Sequence, residues 1–153
     1  MPQCLTKYFS TMEYSEDGVI SVPDGLPGFD DEHEFVLIDQ EAKRPLVFVQ
    51  SLATPGLCFI ALPARSVEPE YKLAVAPPDL ALLELDSAQP EIGRDVLCLA
   101  FVAITPEGEI SANLLSPLVI NYQKRVAVQA IQTNSNYSHR HPVLAGEAEP
   151  VCS

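Results

Sequence analysis

Residues 96–132 read V-L-C-L-A-F-V-A-I-T-P-E-G-E-I-S-A-N-L-L-S-P-L-V-I-N-Y-Q-K-R-V-A-V-Q-A-I-Q, and their pattern decides the fold. The unbroken apolar run over 96–104 has strand length, and the turn Pro106, Glu107, Gly108 separates it from a second apolar piece over 110–115. Leu118, Ile120 and Tyr122 then alternate with Asn121 and Gln123, and Val126, Val128 and Ala130 alternate with Arg125 and Gln129. A period of two belongs to strands with one face toward a core. Pro117 has no N–H to donate, so it belongs at a strand start or a bulge, where Asn113 and Ser116 satisfy nearby backbone groups. The segment reads as antiparallel meander strands.

Upstream, residues 35–38, 46–49 and 58–62 are apolar runs of strand length between turn-rich links over 39–45 and 53–56. Residues 5–9 and 19–22 are β-prone pieces around the polar turn Ser15, Glu16, Asp17, Gly18, and predict an opening hairpin or meander. Tyr71, Leu73 and Val75 alternate with Lys72 and Ala74, which favours a half-buried strand over 68–76. The 14 scattered prolines break long helices. One short helix is expected over 79–85, with Asp79 as N-cap and Leu80 and Leu83 on one face. The expected fold is all-β and mainly antiparallel, a small β-barrel-like single domain with one or two short helical turns. It spans residues 1–142, and the aperiodic residues 143–153 read as a frayed tail.

Residues 22–38, V-P-D-G-L-P-G-F-D-D-E-H-E-F-V-L-I, form the most idiosyncratic segment. Pro23 and Pro27 restrict the backbone, Gly25 and Gly28 permit conformations other residues resist, and Phe29 reads as the anchor to the core. Asp24, Asp30, Asp31, Glu32 and Glu34 make the same loop acidic. Either it is a surface turn pinned by Phe29, or it is a rigid shape that meets a partner.

The chain has 153 residues, room for one core, and its 47% hydrophobic content excludes disorder over most of its length. Nine Lys and Arg against 21 Asp and Glu leave a net charge of -12, which repels phosphates and argues against nucleic-acid binding. The first residues show no basic stretch followed by a long apolar run, so a cytoplasmic protein is expected. No apolar run approaches the ~20 residues of a membrane helix. The four cysteines form no C-x-x-C pair; Cys58 and Cys98 read as buried packing residues. A zinc set from Cys4, Cys152, His139 and His141 matches no ligand spacing, and the run from Asp30 to Glu34 lacks the alternation of a calcium loop. No nucleophile elbow, phosphate loop or metalloprotease motif is present, which leaves a small hydrolase or metal-binding enzyme as the weaker class. No catalytic residue, metal or cofactor is expected.

Two motifs, D-G-L-P-G-F at residues 24–29 and A-N-L-L-S-P-L-V-I-N at residues 112–121, resemble the signature pair of the flagellar assembly factor FliW family. T-K-Y-F at 6–9, Gln50 with Ser51, Phe59 with Ile60, residues 95–97, and Arg140, His141 and Pro142 extend the resemblance over most of the chain. Ser116 stands where alanine is usual, and Ala127 where glycine is frequent. The resemblance implies a β-barrel-like protein that catalyses nothing and binds flagellin and the RNA-binding regulator CsrA. Flagellin occupies such a protein until export, after which it binds CsrA and relieves repression of flagellin translation. A flagellin-only export chaperone is the nearest alternative. Two regions compete as the partner-binding face: Leu26, Phe29, Asp30, Asp31, Glu32 and Glu34 in the acidic loop, and Asn113, Ser116 and Asn121 in the second motif.

Overall fold

The computed structural model describes residues 3–6, 10–13, 18–23, 25–26, 29, 31–38, 45–86, 90–132 and 136–143. β1 (Gln3–Thr6) and β2 (Ser10–Glu13) pair with each other, antiparallel, as a two-stranded sheet. The opening hairpin therefore forms earlier than expected, between β1 and β2. Its supposed second strand, β3 (Val19–Ser21), pairs instead with β4 (Glu34–Ile38), which supplies the apolar partner Phe35 for Ile20.

From β4 the sheet runs antiparallel through β5 (Val47–Ser51), β6 (Cys58–Pro63) and β7 (Leu97–Ile104). β7 also pairs with β9 (Leu118–Asn121), β9 pairs with β10 (Val126–Gln129), and β10 returns to β3 in parallel. That last pairing closes a barrel of seven strands, β3, β4, β5, β6, β7, β9 and β10. β8 (Ile110–Ala112) and β11 (His141–Pro142) continue the sheet outward from β7. Gly108, at φ +87, makes the β7–β8 turn, with its N–H donating to Thr105 O at 2.9 Å.

Because side chains alternate across a strand, the barrel wall faces two cores. Ile20, Phe35, Val49, Ala61, Leu99, Leu118, Ile120 and Ala127 fill the interior. Leu62, Cys98, Ala100, Val119, Val126 and Val128 point outward into a second core with Tyr71, Leu73, Val75 and Leu83. β9 is buried at every position for this reason. Its alternation predicted a polar face at Asn121, but that side chain is buried, donating from Nδ2 to Leu83 O at 2.7 Å and accepting from Gln123 N–H at 3.2 Å.

The outer core is covered by residues 64–83. α1 (Ala64–Val67), unforeseen in the sequence, and α2 (Pro77–Leu83) are its only helices among the described residues. α2 starts earlier than expected. Ala76 is its N-cap and Asp79 sits in the first turn, because Pro77 and Pro78 already hold the backbone angle a first turn requires. The carbonyl of Leu83, left without a helical partner at the helix end, is the one Asn121 takes up.

Residues 71–76 are extended but belong to no strand. Their alternation is real, with Tyr71, Leu73 and Val75 buried and Lys72, Ala74 and Ala76 exposed. In place of a strand, the Gln132 carboxamide accepts from Ala74 N–H at 2.9 Å and donates to Ala74 O at 2.8 Å. Gln132→Ala removes both bonds and is expected to lower the unfolding free energy by about 2 kcal/mol, read from urea denaturation.

Two C-terminal strands are shorter than their apolar runs. β8 stops at Ala112, where Asn113 Oδ1 accepts from Leu115 N–H at 3.1 Å and Ser116 N–H at 2.9 Å and turns the chain into β9. β10 begins after Arg125, which is left-handed at φ 57, and ends at Gln129. Val143, the first residue of the expected tail, is buried, and its N–H donates to Ile110 O at 3.0 Å. Residues 144–153 lie outside the described residues.

Burial raises the Cys98 thiol from about 9 to about 12 and the Cys58 thiol to about 11, and it pushes the Tyr71 phenol upward too. Groups whose pKa is higher in the folded chain stabilise it below their unfolded pKa and lose that contribution as pH rises toward the folded one. Stability is therefore expected to hold up to about pH 9 and to fall above it, in urea titrations at successive pH values.

Candidate interaction surface

Strand directions place the loop between β3 and β4 at one mouth of the barrel. β3, β5, β7 and β10 end there, and β4, β6 and β9 begin there. The loop is held at its base by Val22 N–H donating to His33 O at 2.8 Å and by His33 Nδ1 lying 3.1 Å from Val22 O. Gly25, at φ +66, turns the chain so that Leu26 enters the barrel interior, where it is 3% exposed. Leu26 and Phe29 then exchange backbone hydrogen bonds across a tight turn, 2.7 Å from Phe29 N–H to Leu26 O.

The anchor is thus Leu26, and the assignment of that role to Phe29 is corrected. A turn that drives Leu26 inward leaves Phe29 at the rim, 40% exposed. Its ring meets Phe59 edge-on at 5.4 Å, and Phe59 in turn contacts Phe101 at 5.2 Å. The aromatic row leads to the second motif, since Asn113 N–H donates to Phe101 O at 2.9 Å.

The acids divide by environment. Glu32 accepts a hydrogen bond from the Ser51 hydroxyl at 2.6 Å, and Ser51 Oγ accepts from the N–H groups of Ala53 and Thr54 at 3.1 and 3.0 Å. Leu52 N–H donates to Glu34 O at 3.1 Å. The β5–β6 turn and the acidic loop are therefore clasped into one rim. Gln50, fully buried, donates from Nε2 to the carbonyls of Ser51, Thr54 and Pro55 at 2.9, 3.4 and 3.2 Å and holds the same turn. Asp31 and Glu34 are exposed. Asp30, with Asp24, Pro27 and Gly28, lies outside the described residues.

The two regions that compete in the sequence are only partly separate. Asn113 and Ser116 lie in the link that enters β9 at this same mouth, whereas Asn121 lies at the opposite end of β9. Asn113 turns the chain there, and Ser116 O accepts from Gln129 Nε2 at 2.9 Å. Ser51, Phe59 and Phe101 belong to the mouth although no motif singled them out for binding. Only their spacing within β-strands, read together with the closure of the barrel, brings them there. The four residues of the imagined zinc set include Cys4 and Cys152, whose side chains are outside the described residues. Among those residues no group of three metal-binding side chains occurs. No helix of the described residues is long and apolar enough to cross a membrane.

The family profile described as FliW protein matches residues 3–144. The chain is 33% identical over 135 residues to the flagellar assembly factor FliW of Syntrophomonas wolfei subsp. wolfei, covering 87% of this chain and 83% of that protein. It is 34% identical over 145 residues to the flagellar assembly factor FliW of Treponema pallidum, covering 94% and 93%. A crystal structure of the flagellar assembly factor FliW superposes with a TM-score of 0.81 at 30% identity, over 95% of this chain and 99% of that one. With its closed barrel, the two short helices among its described residues and these matches across nearly its whole length, the chain belongs to the FliW family, whose named relatives are flagellar assembly factors.

Proposed function

We propose that this chain is a non-enzymatic, cytoplasmic flagellar assembly factor that binds flagellin and the regulator CsrA. Flagellin occupies it until export; the freed protein then binds CsrA and relieves repression of flagellin translation. The observation that carries this reading is the family match over residues 3–144. In its support, Cys58 and Cys98 stay protonated near neutral pH, which suits packing better than nucleophilic attack. A net charge of -12 also suits a partner with a basic RNA-contacting surface, steering the encounter and repelling RNA phosphates once docked.

The test is size-exclusion chromatography of the purified chain with flagellin and with CsrA from its own organism. Stoichiometric complexes with each, and displacement of CsrA by flagellin, are expected; absence of both complexes sinks the proposal. A complex with flagellin alone makes the protein an export chaperone instead. Phe29→Ala combined with Asp31→Lys and Glu34→Lys should weaken partner binding at least tenfold, about 1.4 kcal/mol, in calorimetric titrations. An unchanged affinity in a folded variant removes the mouth as the docking face.

A further inference from the structure

Successive residues of an extended chain turn their N–H and C=O groups toward opposite edges. Along residues 71–76 one edge is closed by side chains, with Lys72 N–H donating to the Tyr137 hydroxyl at 2.8 Å and Gln132 satisfying both groups of Ala74. On the other edge Tyr71 is closed locally: its N–H donates to Glu68 O at 2.9 Å, and its carbonyl accepts from Arg65 Nε at 3.2 Å. The next two residues on that edge, Leu73 and Val75, have no backbone hydrogen-bond partner among the described residues. Their free groups recur about 6.6 Å apart, the repeat at which an added strand presents its own.

The segment lines a groove of about 1080 Å³ that also includes Arg65, Lys72, Glu91 and the exposed Ile131. Arg65 and Lys72 have no carboxylate within ion-pair distance among the described residues, in a chain whose net charge is -12. Two cations against the single carboxylate of Glu91 leave the groove's lining net positive in an acidic protein.

We infer that this groove receives an extended, acid-bearing segment of a partner protein, added as a strand along the free edge of residues 71–76. Main-chain bonds to Leu73 and Val75 set its register, and its carboxylates meet Arg65 and Lys72. The attraction is local to Arg65 and Lys72, and salt screens it. The site is built from residues other than those of the mouth and does not rest on the partners proposed above.

The test is a nuclear magnetic resonance titration of the isotopically labelled full chain with the capped peptide acetyl-Thr-Val-Glu-Val-Glu-Val-amide. A control peptide carries lysine at both glutamate positions. The acidic peptide should shift the Leu73 and Val75 amide resonances and slow their hydrogen exchange at least fivefold, and the lysine peptide should bind at least tenfold more weakly. Lys72→Glu, a surface change, should weaken the acidic peptide at least fivefold without altering the fold. Val75→Pro removes one free donor and should do the same where it folds; if it does not fold, Lys72→Glu carries the test. Equal binding of the two peptides, shifts that spare Leu73 and Val75, or no binding at several millimolar peptide overturns the inference.

Discussion

Tyr71→Ala is expected to lower the unfolding free energy by about 4 kcal/mol, the cost of emptying a fully buried aromatic site. Tyr71 is 0% exposed in the outer core. Its ring packs on Tyr137 at 4.3 Å between centroids, and its hydroxyl donates to Leu114 O at 2.5 Å. That bond joins the covering segment to the link that enters β9, so the loss should loosen both. Tyr71→Phe separates the two contributions. It keeps the ring, leaves the Leu114 carbonyl without its donor, and should cost only about 1–2 kcal/mol. Urea denaturation of the three proteins decides the matter. Equal losses for alanine and phenylalanine would mean that the hydroxyl, and not the packing, holds the covering segment in place.

Leu26→Ala is expected to cost about 3 kcal/mol, within the range for truncating a buried leucine. Its second consequence is local. Leu26 is the side chain that carries the mouth loop into the barrel interior, so its loss should free Phe29 from Phe59 and make the loop the first site cut in limited proteolysis. Under the proposed function, partner affinity should fall together with stability for Leu26→Ala. For Tyr71→Phe, affinity should fall less than for Leu26→Ala, because Tyr71 lies in the outer core and its lost bond reaches the mouth only through Leu114 in the link that enters β9. A Leu26→Ala protein that keeps the wild-type proteolytic pattern would show that the loop is held by its backbone bonds alone.

Most strands were legible in the sequence because each is a short apolar or alternating run between turns. β4, β5, β6 and β7 fall within a residue or two of their apolar runs. Element type failed where a local pattern had a different tertiary use. Residues 71–76 alternate as a strand does, yet the Gln132 side chain takes the place of a neighbouring strand. Asn121 looked outward by alternation, yet it is buried because the end of α2 needs a donor there. Phe29 looked like the anchor by size, yet the positive φ at Gly25 sends Leu26 inward instead. In each case the deciding partner lies far away in sequence, beyond the reach of a local window.

By itself the sequence determined the β class, the place of most strands and the family, since side-chain period, turn residues and motifs are local properties of the chain. Only the tertiary structure decided that β10 returns in parallel to β3 and closes the barrel, that the wall divides two cores, and that Phe29, Phe59, Phe101 and Asn113 meet at one mouth. Strand partners are chosen by the joint burial of both faces and by satisfaction of backbone groups, quantities that exist only once the whole chain has folded.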